Sequence, residues 1–320
     1  MTTTQSDTIH TIDGHYHFPG RAAAFLIADR DEATFVDNVT RFSVPYLLEG
    51  LERAGLAPEQ VRYLIVTHVH LDHSGGTAEL LKHCPNATVI AHPRARRHII
   101  DPSRLVKSAR SYYGEEAFDQ LYGEIEPVDA ARVVTKEDGD TLELGGRTLT
   151  FYDSPGHARH HFIVQDSATN SIVAGDAFGN CYPYLQRGDQ AYFSYVCAPP
   201  QFDPAEARST IERIRDLEPD RIYVAHFGQS SAIQQGADQL LHDMDAFDAA
   251  VDTAAQTDLL GDELLDYCTK RALDITRQGL VRAGLDLEDD EVMKWALSEH
   301  AITSQGLAAL AQQRRDAATA

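Results

Sequence analysis

Residues 67–76 of the chain, THVHLDHSGG, concentrate side chains that bind metal ions. Three histidines and one aspartate fall within six residues, at His68, His70, Asp72 and His73. Imidazole nitrogens and carboxylate oxygens are common ligands of zinc and other divalent ions. Side chains two residues apart on extended backbone share one side, as His68 and His70 do. Four ligands this close in sequence would crowd a single ion, so the stretch predicts two neighbouring ions.

Further ligand types follow strand-like runs downstream. His157 comes after a strand and a Pro-Gly turn in DSPGH, Asp176 ends the run IVAGD, and His226 ends the run IYVAH. A catalytic zinc site needs about three protein ligands and a water. A carboxylate such as Asp176 has two oxygens and can bridge two ions. The count then closes with three histidines on one ion, two histidines and Asp72 on the other, and Asp176 shared.

The surrounding sequence must place these side chains on strand ends. The run VRYLIVTH predicts a buried strand, and GGTAELLKHC predicts a helix beginning at Ser74. The ligand cluster is therefore expected on the loop between that strand and that helix, where α/β folds carry functional groups.

Along the rest of the chain, the sequence predicts a mixture of strands and helices, followed by helices alone. Strands are predicted at AAFLIAD, ATFVDN, ATVIAH, RVVTK, HHFIVQDS, SIVAGDAF and RIYVAHFG, with a hairpin at Gly145-Gly146. From Gln229 onward only helical periodicity is found. We expect two sheets between helices over residues 1–228, as the catalytic domain, and a helical subdomain or lid over residues 229–320.

The segments HVHLDH, PGH, GD and AHFG, in that order, resemble the metallo-β-lactamase fold superfamily over about Phe18 to Gly228. Within it, THVHLDHSGG is most similar to the glyoxalase II-like, thioesterase and lactonase branches. The resemblance implies an α/β fold, an αββα sandwich with the site at the sheet edges. It also implies the ligand sets: His68, His70 and His157 on the first ion, Asp72, His73 and His226 on the second, and Asp176 between them.

The resemblance implies a hydrolase of thioesters or lactones. We expect a water held between two divalent ions to become the nucleophile, with Asp72 and Asp176 as the catalytic carboxylates. One ion would take the charge that develops on the carbonyl oxygen. Zinc is the expected metal, and iron and manganese accept the same ligands.

Two other functions stay open at this point. A persulfide dioxygenase resembles the same motif and uses one iron. A metal-bearing module that binds a partner or signals is the other, supported by the long helical tail. Flavodiiron-type members of the superfamily usually carry a glutamate where this chain has His70 and also need a flavodoxin-like domain.

Several histidines near the ligands have a less direct interpretation. His161 is expected to support the site behind the ligands, with a structural role as the equal alternative. His160 faces the other way if its segment is extended, and His15 and His17 are expected on the polar face of an early strand. The basic residues after Pro93 predict a solvated helix face, with an anchor for an acidic substrate tail as the alternative.

The composition of the chain restricts the classes of molecule that it is expected to bind. The 320 residues carry a formal net charge of -21, which opposes binding to nucleic acid and to anionic membranes. The first ten residues lack an apolar run, and no stretch is long enough to span a bilayer, so we expect a cytoplasmic protein with a small acyl substrate. The four cysteines have no paired spacing and are expected as reduced thiols. The tail is expected either to cover the pocket or to form a homodimer.

Overall fold

The computed structural model describes residues 9–187 and 191–319. These residues form two compact units. The first unit comprises the chain up to Ser154, His160–Gly175 and Pro219–Ser231; the second comprises Pro155–Arg159, Asp176–Glu218 and the chain from Ala232 onward. The predicted boundary at residue 228 stays a prediction.

The first unit contains two six-stranded sheets. The strands of the first sheet follow in chain order: β1 (Ile9–Asp13), β2 (Ala23–Asp29), β3 (Glu32–Val36), β4 (Val61–Val66), β5 (Thr88–Ala91) and β6 (Val133–Thr135). Strands β1 to β3 are antiparallel, and β3 to β6 are parallel. The carboxyl ends of β3, β4 and β5 therefore lie at one edge of this sheet, and that edge carries the predicted cluster.

The second sheet is mostly antiparallel. Its strands are β7 (Thr141–Leu144), β8 (Arg147–Asp153), β9 (Phe162–Asp166), β10 (Ser171–Gly175), β11 (Arg221–Val224) and β12 (Gly228–Ser230). The hairpin between β7 and β8 turns at Gly145, as predicted, with φ of +60°, a conformation that glycine adopts at little cost. Strands β10 and β11 run parallel, so both end at the same edge.

One apolar layer fills the space between the two sheets. Phe25 and Ile65 of the first sheet and Phe151 and Val173 of the second belong to one buried cluster. A backbone connection joins the sheets near the site, because Ala23 N donates to Ala225 O at 2.8 Å and Ala225 N donates to Gly175 O at 3.1 Å. The amino end of β2 and the carboxyl ends of β10 and β11 are thereby fixed to each other.

The opposite face of the first sheet is covered by helices of the same unit. These are α1 (Val44–Arg53), α2 (Leu71–Ser74), α3 (Thr77–His83), α4 (Pro93–Ile100), α5 (Ser103–Tyr113) and α6 (Glu115–Leu121). Buried side chains of β3 and β4, such as Phe35 and Leu64, share a core cluster with Leu47 and Leu80 on these helices. The two sheets and the flanking helices match the predicted metallo-β-lactamase fold.

The second unit is helical. Its helices are α7 (Pro204–Asp216), α8 (Ile233–Ala255), α9 (Gly261–Arg282), α10 (Asp290–Ala296) and α11 (His300–Thr319). Asp203 caps α7, as predicted, by accepting from Ala205 N and Glu206 N. The guanidinium of Arg315 donates to Ala254 O and Ala255 O, which satisfies carbonyls at the end of α8. Within the described residues, no helix is long and apolar enough to cross a membrane.

Three short elements differ from the sequence predictions. β1 was not among the predicted strands, and β12 contains Gln229, where only helices were expected. The helix expected from Ser74 begins at Leu71 as α2, and α3 follows from Thr77. Elements of three to five residues are too short to show a clear hydrophobic period.

Candidate metal centre

The predicted ligand cluster lies where β4 ends and α2 begins. His68 follows β4 by two residues, and His70 is the residue that precedes the first turn of α2. Asp72 and His73 belong to α2, so the expectation that all four ligands lie on a loop was wrong. The backbone N–H groups of His73 and Ser74 donate to His70 O at 3.1 and 3.0 Å, which fixes this turn.

Asp72, His73 and His226 form a group of three ligands within the first unit, which we call the triad. Their ligand atoms all lie within 4.8 Å of one another. The Oδ2 atom of Asp72 lies 3.5 Å from His226 Nε2 and 4.0 Å from His73 Nε2. Bonds of about 2.1 Å in a tetrahedral site place two ligand atoms about 3.4 Å apart, so the triad fits one ion.

Hydrogen bonds behind the triad orient both imidazoles. His226 Nδ1 lies 2.7 Å from Arg21 O, and a carbonyl oxygen can only accept, so this nitrogen carries the hydrogen. His73 Nδ1 lies 2.9 Å from Asp37 Oδ2, and both side chains are buried. In each neutral imidazole the Nε2 lone pair is then available on the side of Asp72, as a metal ligand requires.

Asp37 also acts on a second ligand histidine. Its carboxylate accepts from Thr67 N at 2.8 Å and from Thr67 Oγ1 at 2.9 Å. Thr67 Oγ1 lies 3.2 Å from His68 Nδ1. Because the threonine hydrogen is donated to Asp37, His68 Nδ1 is the donor in that contact, and its Nε2 is left for a metal.

Sequence analysis did not identify Asp37. The residue directly follows β3, which runs parallel to β4, and an acidic residue at that edge was the available signal. Asp37 stands within the strand-like run ATFVDN. Nothing in that run indicates a contact with a histidine thirty-six residues away.

Four histidine rings of the first unit lie together beside the triad. The centroid of the His68 ring is 4.5 Å from that of His70, 4.8 Å from that of His161 and 6.3 Å from that of His160. His161 Nδ1 lies 2.7 Å from Ser154 Oγ. A Cβ on Gly175 would lie only 2.7 Å from His161 Nε2, so the close packing of this ring requires glycine there. The supporting role of His161 stays a prediction.

The His160 ring, like that of His161, lies near the His68 ring. The expectation of opposite sides rested on an extended segment, whereas residues 159–160 form a turn. Burial lowers the pKa of His160 to about 3, with smaller contributions from His70, His98 and His92. His160 is therefore a neutral imidazole at physiological pH.

The second unit holds the other two predicted ligands, His157 and Asp176. His157 Nε2 lies 3.3 Å from Asp176 Oδ2, a spacing that suits two ligands of one ion. Helix α7 fixes the segment of His157, because Thr210 Oγ1 donates to Pro155 O at 2.7 Å. Gly156 has φ of +123°, and a Cβ there would meet the backbone of Ala207 at 2.4 Å. The assignment of His157 and Asp176 to the two ligand sets stays a prediction.

His15 and His17 are not on a strand, contrary to expectation. Both have positive φ, 52° and 62°, in the loop after β1. The carboxylate of Asp13 closes this loop by accepting from His15 N at 2.9 Å and from Gly20 N at 2.8 Å. Both imidazoles are exposed, and the His15 ring stacks on Tyr46. The polar strand face predicted for them is therefore wrong.

His92 follows β5 at the same sheet edge, but its hydrogen bonds exclude it as a ligand. Its Nδ1 accepts from Arg94 N at 3.0 Å, which caps α4. The hydrogen of the neutral ring is then on Nε2, which lies 3.2 Å from Asp153 Oδ1. His92 has no lone pair left for a metal, so it is a structural histidine.

Comparisons with known proteins show the family and the fold. The family model described as the metallo-beta-lactamase superfamily matches residues 17–226. A metallo-beta-lactamase fold-containing protein of Sulfurisphaera tokodaii is 28% identical over 177 residues, which are 53% of this chain and 62% of that protein. A coenzyme F420H(2) oxidase of Methanothermobacter marburgensis is 27% identical over 178 residues, which are 54% of this chain and 38% of the oxidase.

A solved structure supports the fold. A metallo-beta-lactamase family protein from Thermus thermophilus superposes with a TM-score of 0.63 at 18% identity, covering 97% of this chain and 94% of that one. The chain thus spans between about two fifths and three fifths of the two sequence relatives.

Proposed function

The chain belongs to the metallo-beta-lactamase superfamily, and from that membership and its ligand groups we propose that it is a dinuclear metal-dependent hydrolase of thioesters or lactones. The observation that carries the proposal is the triad, in which two imidazoles with fixed tautomers face one carboxylate oxygen. Histidine nitrogens and carboxylate oxygens are the ligands of hydrolytic zinc sites.

The proposed ligand sets are those implied by the resemblance. The triad would hold one ion; His68, His70 and His157 would hold the other, with Asp176 between them. Asp176 directly follows Gly175, the last residue of β10, and His157 lies between Ser154 and His160 in the sequence. Both residues are thus joined by short stretches of chain to the unit that holds the other five.

The side chains have separate tasks in this proposal. Two divalent ions, with zinc as the expected metal, would supply a water of lowered pKa and a Lewis acid for the carbonyl oxygen. Asp72 would hold an ion and would accept the proton of the attacking water. Asp37 and Arg21 O hold His73 and His226 in the orientation that ligation requires.

The substrate class follows from the branch resemblance and from charge. A thiolate leaving group, with a reference pKa of about 8.5, needs little help from an acid, whereas an alkoxide needs more. A net charge of -21 favours a small acyl compound over nucleic acid.

Oxygen chemistry is the second candidate, and the names of relatives favour it. One matched relative is named coenzyme F420H(2) oxidase. His70 argues for hydrolysis, because the flavodiiron-type members usually carry a glutamate at that position. Metal stoichiometry and oxygen uptake separate the two functions, since hydrolysis consumes no oxygen and needs no change of oxidation state.

Metal content measured together with turnover tests the proposal. The purified protein is analysed for zinc, iron and manganese and assayed on a panel of thioesters and lactones, with oxygen uptake followed in parallel. We expect about two ions per chain and hydrolysis that is lost in His226→Ala. The exposed His242 provides the matched control variant, His242→Ala, which should keep both metals and activity. One iron per chain with oxygen uptake and no hydrolysis would overturn the proposal.

A further inference from the structure

A basic stretch of the first unit differs in charge from the rest of the chain. Residues 93–110, which form α4 and the larger part of α5, hold six of the 28 lysines and arginines but only one of the 49 acidic residues, Asp101. The sequence left two interpretations of this stretch open, a solvated helix face and an anchor for an acidic substrate tail. The excess of positive charge is local, because the chain as a whole carries a net charge of -21.

Two of the basic side chains on α5 have no acidic partner. Arg110 forms ion pairs with Glu115 and Asp119, which lie in the first unit. Arg104 and Lys107 are exposed, and in the part of the chain that the structure describes their side chains form neither an ion pair nor a hydrogen bond. Their charges are therefore available to an anion from solution.

Arg104 and Lys107 line a groove along one side of α5, which we call the α5 groove. It has a volume of about 510 Å³, and Ser108, Ser111 and Tyr112 complete its lining. The five residues recur at spacings of three and four, so they form one stripe of the helix. The stripe offers a guanidinium, an ammonium, two hydroxyls and an aromatic ring, and Tyr112 is 46% exposed.

This set of groups suits a phosphorylated nucleotide. The planar guanidinium of Arg104 can bind a phosphate through two parallel hydrogen bonds, and the ammonium of Lys107 adds a point charge. The serine hydroxyls can donate to further phosphate oxygens. The exposed ring of Tyr112 provides a face on which a base can stack. Groups for the phosphates and for the base thus lie within about two turns of one helix.

The charge of the whole chain favours a small anion in the α5 groove over a large one. At physiological ionic strength, charges are screened over about 8 Å. A small anion in the groove therefore responds mainly to Arg104 and Lys107. A nucleic acid or an anionic membrane would also meet the acidic remainder of the surface and be repelled by it.

The helix that carries the α5 groove borders the candidate ligands of the first unit. Leu71 and Leu105 line one small cavity between α2 and α5. Leu71 stands between His70 and Asp72 in the sequence, and Leu105 directly follows Arg104. At 3.6 residues per turn, consecutive residues lie about a quarter turn apart, and a helix with its side chains is about 10–12 Å across. The groove therefore lies about one helix diameter from these candidate ligands.

Ring contacts give a second connection, through α4. The centroid of the His160 ring lies 6.0 Å from that of His70 and 6.3 Å from that of His98, which belongs to α4. His98 also lines the small cavity together with Leu105. One imidazole, that of His160, therefore separates a candidate ligand from the pair of helices that includes α5.

Resting on the proposed function, we propose that the α5 groove binds the phosphorylated adenosine of a thioester such as an acyl-coenzyme A, and that such thioesters are the substrates. The arm between the sulfur and the phosphates of this thiol is about as long as four residues and reaches roughly 14 Å. This length covers the separation of about one helix diameter between the groove and Asp72. Water cleaves the acyl–sulfur bond and yields the carboxylic acid and the free thiol.

Calorimetry with adenosine 3′,5′-bisphosphate tests the α5 groove without turnover, because this probe has the base and phosphates but no thioester. We expect metal-loaded wild type to bind it, and the double variant Arg104→Ala, Lys107→Ala to bind it at least ~10-fold more weakly. The control double variant Lys270→Ala, Arg277→Ala also removes one exposed lysine and one exposed arginine, from α9, and should bind as wild type does. No binding by wild type, or equal binding by the groove variant, would overturn the proposal.

Steady-state kinetics separate failure of this proposal from failure of the proposed function. The same acyl group is supplied on coenzyme A and on N-acetylcysteamine, which lacks the phosphates. In the groove variant, KM for the coenzyme A thioester should rise at least ~10-fold while kcat changes less than ~3-fold, and both constants for the short thioester should stay as in wild type. Equal changes of KM on both substrates would contradict the α5 groove. If wild type binds the probe but hydrolyses no thioester, the proposed function fails and the nucleotide site remains supported.

Sedimentation of the same proteins tests another occupant of the α5 groove, an acidic face of a second copy of this chain. A wild-type dimer that dissociates in the groove variant, together with equal binding of the probe by both proteins, would overturn the proposal. Equal unfolding midpoints establish that the variants are folded, as expected for substitutions of exposed side chains.

Discussion

His73 Nδ1 lies 2.9 Å from Asp37 Oδ2, and each side chain is 1% exposed. The same carboxylate accepts from the backbone and the hydroxyl of Thr67, which in turn accepts from His68. One buried aspartate thus sets the tautomer of a ligand on each side of the proposed metal pair.

Replacing Asp37 by alanine should weaken metal binding. His73 would lose the acceptor that fixes its ring, and outer partners of this kind typically contribute 10- to 100-fold, roughly, to metal affinity. Titration against a competing chelator measures the change. Asp243→Ala is the control, because it also removes a buried carboxylate, one that accepts from Arg282 in the second unit. Equal affinity of Asp37→Ala and wild type would contradict the assignment.

Replacing Asp176 by alanine should abolish turnover and lower the metal content below two ions per chain. The reason is that this carboxylate is the proposed bridge and lies 3.3 Å from His157 Nε2. Elemental analysis and the ester assay measure both effects. Asp216→Ala, which alters an exposed aspartate of the same unit, should change neither. Retained activity in Asp176→Ala would contradict the proposal that Asp176 bridges two ions.

The ion pair of Arg147 and Asp166 should show the cost of an uncompensated buried charge. Their side chains are 1% and 0% exposed and lie 2.9 Å apart. Arg147→Met should lower the free energy of unfolding by about 3–5 kcal/mol, because Asp166 would stay buried without its cation. The double variant with Asp166→Leu should recover much of that loss. Urea unfolding of wild type, Arg147→Met and the double variant measures these differences. Arg147→Met as stable as wild type would refute the expectation.

Asp243 should make stability fall as the pH rises above about 4. Burial raises its pKa to about 6, and Arg282 and His242 only partly offset that. Between the unfolded value of about 3.9 and the folded value, the folded protein binds more protons than the unfolded chain, so stability decreases with rising pH. Across this pH range the free energy of unfolding should fall by about 3 kcal/mol. Asp243→Asn should flatten urea-derived stabilities between these pH values; the exposed Asp238→Asn should leave the slope as in wild type.

The four cysteines should resist alkylation in the folded protein. Cys84, Cys181, Cys197 and Cys268 are all buried and free, which agrees with the expectation of thiols without disulfides. Burial raises the pKa of Cys84 and Cys181 to about 12 and that of Cys268 to about 11. The thiolate is the reactive form, so labelling with iodoacetamide at pH 8, followed by mass spectrometry, should require denaturant. Rapid labelling of the native chain would contradict this.

The sequence was informative where a local pattern decides the structure. Buried strands such as β4 and β10 are continuous apolar runs, and α7 carries its capping aspartate and its proline in sequence. The spacing in HVHLDH similarly indicates the candidate ligands, because metal coordination restricts residue type and separation together.

The sequence was uninformative where distant segments meet. Asp37 contacts His73 across 36 residues of sequence, and the run around Asp37 does not differ from ordinary strand sequence. The predictions missed short elements for another reason. β12 is set by pairing with β11, from Ile222 opposite Ser230 to Val224 opposite Gly228, rather than by its own three residues.

The backbone bond from Ala23 N to Ala225 O has a consequence for biosynthesis. Asp72 and His73 leave the ribosome early, but the third member of the triad is the residue that follows Ala225. A nascent chain that ends before this point can form most of the first sheet and still lacks the complete triad. The candidate metal site at the triad is therefore completed only late in synthesis.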